Sequence, residues 1–303
     1  MLVATVVSAP VVPASGGLFG PAIPVPEPES AAPEPGDEDS LTADDQVPPR
    51  EAERRAAEAA ARERATTDRT VPRAETFYPK NLEYPVYRNR FATHAPREQF
   101  IEIEGRDSDL MERHRGINRL YYEVVVCPKC SFAAFAEDFA RLVTGEDEAV
   151  TLANAPLHAR VASLDFLGFR DARLAQSAFE LAIVAYGQRR SSHRKVASLN
   201  HRLAWLARQA GNAAREKRFL DTALKGYMAA LKKLSAYDQR LELTITYLVA
   251  ELSRRVDDLP VAMKWVSQLL QGPQLAAPGA RMIADLARDL RQNLRPAAPS
   301  PGR

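Results

Sequence analysis

Cysteine is almost missing from these 303 residues: two occur, Cys127 and Cys130. Two thiols make no disulfide framework, and their scarcity suits a reducing compartment, so a cytoplasmic location is the expectation. A run of eighteen apolar residues is also lacking, so no membrane-spanning helix is expected. Residues 1–26 carry no Lys or Arg, which removes the basic region that opens a secretory signal. Catalytic signatures are equally scarce. The chain has no Gly-rich phosphate loop, no Gly-x-Ser-x-Gly elbow and no His-Glu-x-x-His, and its five histidines are scattered. These absences point away from an enzyme and toward a binding role.

Residues 1–73 hold a large share of the 22 prolines and almost no aromatic residues. Such a stretch cannot bury enough apolar surface to offset its conformational entropy, so it is expected to be a disordered Pro/Ala/acidic tail. Within it, residues 27–47 carry eight acids and no base, and residues 50–64 are Ala/Glu/Arg-rich enough for a transient, solvated helix. The formal net charge of +2 conceals an asymmetry, because from Arg170 onward 23 Lys and Arg stand against 11 Asp and Glu. A basic body behind an acidic tail attracts nucleic acid or acidic protein segments, unless the charge is only a solvated helix surface.

Residues 74–135 have another character. Phe100 to Gly105 alternates with period two, and Leu120 to Cys127 is rich in β-branched and aromatic residues, so both are expected strands. The stretch between them reads as a loop, with Asp107 and Asp109 acting as turn residues. A β unit of two or three strands is too small to stand alone and should lean on the helices that follow. From Ala133 the period becomes 3.6. Phe135, Phe139 and Leu142 suggest a short helix ending at Gly145, followed by helices over Leu157–Phe169 and Ala172–Gln188. The next pair breaks at Gly211-Asn212, and a third breaks at Asp257-Asp258 with Pro260 opening its second helix. Residues 279–294 form a last amphipathic helix. The predicted class is therefore mainly α: stacked antiparallel helix pairs of tetratricopeptide-like kind over 136–295, a small N-terminal β knuckle over 74–135, and a disordered end over 296–303. A closed helical bundle is the alternative stacking.

One cluster carries chemistry. In Val126-Cys127-Pro128-Lys129-Cys130, two thiols two residues apart can face one zinc ion, but a closed structural site needs four ligands. His94 and His114 lie upstream without metal-ligand spacing. A strand, then Cys-x-x-Cys, then a helix also suggests thiol exchange, although no βαβ pattern surrounds the motif. Packing as small buried hydrophobes is the leading reading, with no cofactor expected.

Arg106-Asp107-Ser108-Asp109, Gly116-Ile117-Asn118, Tyr121-Tyr122, Cys127-Pro128-Lys129-Cys130, Ala133-Ala134-Phe135 and Asp138-Phe139 together resemble the bacterial domain of unknown function 2225 family, over residues 77 to about 272. The resemblance implies a helical, tetratricopeptide-like remainder and a zinc-ribbon-like knuckle built from two Cys-Pro-x-Cys pairs. In this chain the earlier pair is matched by Tyr84-Pro85-Val86-Tyr87, with tyrosines at both thiol positions. Arg119 stands where the family has proline, and Ser131 where it has glycine. Metal ligation by Cys127 and Cys130 would therefore have Tyr84 and Tyr87 in place of its second pair, and tyrosine is a poor zinc ligand. Aromatic packing of the tyrosines is expected instead.

The sum is a non-enzymatic interaction protein that binds a peptide or protein partner in a helical-repeat groove. The alternatives are a nucleic-acid binder using the basic helical face and a Cys-x-x-Cys redox protein.

Overall fold

Local pairing dominates residues 77–135, because each short strand meets its neighbour across a turn. The computed structural model describes residues 74–84, 90–139, 155–188, 193–234, 239–276 and 279–294. The expected tails at 1–73 and 296–303 lie outside them, as do the helix at 50–64, Tyr87, and the residues from Leu142 to Gly145. Three antiparallel pairs follow one another: β1 (Phe77–Glu83) with β2 (Arg90–Pro96), β3 (Ile101–Arg106) with β4 (Glu112–Gly116), and β5 (Val124–Val126) with β6 (Ala133–Phe135). The first is regular, Phe77 opposite Pro96 and Glu83 opposite Arg90. The second is bulged between Ile103 and Gly105.

Four local expectations are corrected here. The stretch after Gly105 is not all loop, because it turns tightly at Ser108-Asp109 and returns as β4. Leu120 to Cys127 is not one strand: the Asn118 side chain accepts from Leu120 N and winds Arg119–Tyr122 into a 3-10 turn, leaving three strand residues. Ala133 opens a strand rather than a helix, because Cys127 N donates to Phe132 O and folds β6 back on β5. The helix from Leu157 stops at Val161; the Asp165 carboxylate then accepts from Leu167 N and Gly168 N and turns the chain.

Seven α-helices are described: α1 (Ala155–Val161), α2 (Ala172–Gln188), α3 (His193–Gln209), α4 (Ala213–Leu231), α5 (Gln239–Arg255), α6 (Leu259–Gln271) and α7 (Arg281–Asn293). From α2 onward each packs on the next. The fold is thus mainly helical with small antiparallel strand pairs, and every described residue belongs to one compact unit. Two helix hairpins share a turn design. Gly211 and Asp257 both take positive φ, and the following N–H returns to a carbonyl in the helix's last turn: Asn212 to Ala207, Asp258 to Ser253. The side chains of Asn212 and Asp258 then cap α4 and α6. Gly226 lets α3 and α4 approach, since a Cβ there would sit 2.8 Å from Ala197 Cβ. None of the described helices is long and apolar enough to cross a membrane.

The strand pairs lean on the helices through specific anchors. Arg170 is buried, and its guanidinium donates to the carbonyls of Phe166, Tyr121 and Val124. It thereby ties the 3-10 turn and β5 to the segment before α2. Burial lowers its pKa to about 10, opposed by Tyr122 and Asp165, so it stays cationic at neutral pH. His94 N donates to Leu167 O at 2.8 Å, which fixes β2 to the same segment.

Candidate functional site

The cysteine turn joins β5 to β6. Ser131 N donates to Cys127 O at 2.9 Å, with Ser131 at a positive φ that a glycine would adopt more easily. Both thiols are buried, and the Tyr84 hydroxyl bonds to Cys130. The Tyr84 ring packs on Phe132 and Phe139 at centroid distances of 5.3 and 5.9 Å. Tyr84 thus stands against the cysteine pair by aromatic packing; Tyr87 lies outside the described residues. Hydrogen bonding to Cys127, then burial, pushes the Cys130 thiol far up, so Cys130 is the protonated member of the pair at neutral pH. Among the described residues, the donors at the cysteine turn fall short of the four ligands of a closed zinc site. Two thiols and a phenol are present, and among the described residues no group of three His, Cys, Asp or Glu is placed to hold a metal. His158 reaches Ser131 Oγ, His94 Nδ1 lies 2.9 Å from Leu167 O, and His114 lies in a different wall.

A second cluster forms where the β3–β4 turn meets the helices. Asp109 is fully buried, and among the described residues its carboxylate is met by the donors Arg208, Trp205, His201 and Arg255. Arg208 donates from Nη2 to Oδ2 at 2.5 Å and from Nη1 to Oδ1 at 3.1 Å. Trp205 Nε1 donates to Oδ2 at 3.1 Å and His201 Nε2 lies 3.4 Å away. Arg255 Nη2 is 3.6 Å from Oδ1, and Arg208 also pairs with Asp107 and Glu216. From α5, Glu251 accepts from Ser108 Oγ at 2.6 Å and the Tyr247 hydroxyl donates to Ser108 O. Burial alone would raise the Asp109 pKa; hydrogen bonds from His201 and Arg208 outweigh it and hold the carboxyl far below the usual range. Burial holds His201 neutral, its Nε2 donating to Asp109 and its Nδ1 facing the Tyr227 hydroxyl at 3.5 Å. A Tyr–His–Asp chain resembles a proton relay, but all three members are buried and Arg208 saturates the carboxylate. It acts as a lock: the turn 107–111 fills the space between α3 and α5. The expected turn role of Asp107 and Asp109 was only part of their work.

Beside that lock lies an open cleft of about 610 Å³, bounded by β1, β2, β4, the 3-10 turn and the outer face of α3. Its apolar walls include Tyr78, Leu120, Tyr122, Phe135 and Trp205. The Arg202 guanidinium lies 5.1 Å from the Phe135 ring centre and 5.4 Å from that of Trp205. All four carboxylates in the lining are paired: Glu98 with Arg119, Glu112 with Arg106, Glu123 with Arg202 and Glu137 with Lys195. The His114 side chain is 4% exposed, and its Nε2 lies 3.6 Å from Glu112 Oε2, too far for a hydrogen bond. Burial lowers its pKa, against the raising field of Glu112 and Glu123. This cleft has no signature in the sequence, because its residues are drawn from six separate stretches.

No curated protein and no solved structure matches the chain in comparison. A family model does match it, over residues 77–294, a span that runs from the first residue of β1 past the end of α7. With that match taking in the strand pairs, the cysteine turn, the Asp109 lock and the cleft, the chain belongs to the bacterial family described as "uncharacterized protein conserved in bacteria (DUF2225)".

Proposed function

We propose that this protein is a non-catalytic binding protein, acting in the cytoplasm, that takes a peptide or protein partner in the cleft between its strand pairs and α3. The observation that carries the reading is the cleft itself: about 610 Å³, walled by aromatic rings, with every carboxylate in its lining already paired. Such a volume and such walls suit a ligand more than a structural void. Stacked helix pairs of the tetratricopeptide kind commonly offer a groove on one face. Here the faces of α3 and α5 that meet the 107–111 turn are filled by the chain's own Ser108 and Asp109, so binding moves to the flank. Two buried free thiols suit a reducing cytoplasm.

The test compares capture of bacterial lysate proteins by the full chain and by a Ser198→Trp variant. Ser198 lines the cleft from α3, so the indole would fill it. Partners retained by the native chain and lost by an equally stable variant support the reading. Unchanged capture by the variant contradicts it.

A further inference from the structure

Two cations line the cleft without a carboxylate: among the described residues neither Lys80 on β1 nor Arg194 on α3 forms an ion pair. The lining is therefore unbalanced in one direction: its acids are paired, and two of its bases, one of them in the field of Asp138, make no ion pair among the described residues. Next to them, the buried ring nitrogens of His114 meet Glu112 and find no well-formed hydrogen bond among the described residues.

Resting on the binding reading above, we infer that the cleft takes an acidic peptide segment, whose carboxylate side chains pair with Lys80 and Arg194 while its apolar side chains cover Tyr78 and reach the edges of Phe135 and Trp205. A small inorganic anion would satisfy the two cations but leave the exposed Tyr78 ring uncovered. A neutral apolar segment would cover the walls but bury Arg194 and Lys80 without a counter-charge, which is costly. Only a ligand with both features matches both halves of the lining. Rim charges of this kind set specificity and encounter rate more than total affinity.

The test uses the full chain and two fluorescein-labelled octapeptides of equal length, one alternating Glu and Val, the other alternating Gln and Val, read by anisotropy. The acidic peptide is expected to bind with a dissociation constant below about 1 mM, and at least about fivefold more tightly than the Gln peptide. Combining Lys80→Gln with Arg194→Gln should erase that preference without moving the melting temperature, since neither side chain makes a described ion pair. Equal binding of the two peptides, survival of the preference in the double variant, or no binding of the acidic peptide would each overturn the inference. If both peptides bind alike and Ser198→Trp blocks both, acidic selectivity fails while the cleft remains a binding site. Failure of the binding reading shows separately, as lysate capture that Ser198→Trp leaves unchanged.

Discussion

Removing the Asp109 carboxylate should unfasten the strand pairs from the helices, and the cost can be worked from its partners. Asp109→Ala leaves Arg208 held by Asp107 and Glu216, but strips the acceptor from Trp205 Nε1 and His201 Nε2. It also leaves Arg255 with only Glu251, Glu216 and Ser108. Breaking a buried ion pair by deleting one partner costs about 3–5 kcal/mol. Asp109→Asn should cost almost as much, because whichever oxygen becomes the amide NH2 then faces donors only. Asp107→Asn is the control: its carboxylate is about a quarter exposed and meets Arg113 at 3.4 Å and Arg208 at 2.9 Å, so about 1 kcal/mol or less is expected. Urea unfolding followed by circular dichroism and tryptophan fluorescence measures all three. Because the folded pKa of Asp109 lies below its unfolded value, its contribution is present above about pH 4 and is lost as pH falls further. The Asn variant should lose that acid limb. An Asp109→Asn cost under about 1 kcal/mol, equal to that of Asp107→Asn, would refute the lock.

Three further outcomes follow from single contacts. Cys127→Ser with Cys130→Ser should cost about 1–3 kcal/mol, as for polar atoms put into a packed turn, and chelator should not shift unfolding of the native chain; a chelator-induced loss of strand signal would contradict this. Gly226→Ala gains up to about 1 kcal/mol of helix propensity but drives a methyl into Ala197, so thermal melting should show net destabilisation; a stabilised variant would mean that α3 and α4 separate freely. Burial depresses the pKa of His114, so the unfolded state takes up its proton first and stability falls as pH drops below about 6.5; His114→Gln should flatten that limb, and an unchanged slope would count against a buried neutral ring.

Helix ends were legible in the sequence because their signals are local. Gly211-Asn212, Asp257-Asp258 and Pro260 all stand where chain-end chemistry required them. The strand pairs were harder, since Asn118 capping a 3-10 turn and Cys127 closing on Phe132 override β propensity over a few residues. The lock was invisible from Asp107 and Asp109 alone, because their partners lie roughly a hundred positions away. A usable signal did exist: His201, Trp205 and Arg208 share one helical face with Leu-rich neighbours, and polar residues on a core stripe require a buried partner. The cleft had no such signal, since no single segment supplies it.

The most direct measurement uses the two tryptophan indole N–H resonances during titration with the acidic peptide. Trp205 lines the cleft, and Trp265, carried by α6, is absent from its lining. The Trp265→Phe variant assigns the pair. The account predicts that the Trp205 resonance shifts and saturates while that of Trp265 stays in place. A moving Trp265 with a stationary Trp205 would put the binding surface elsewhere and contradict the account.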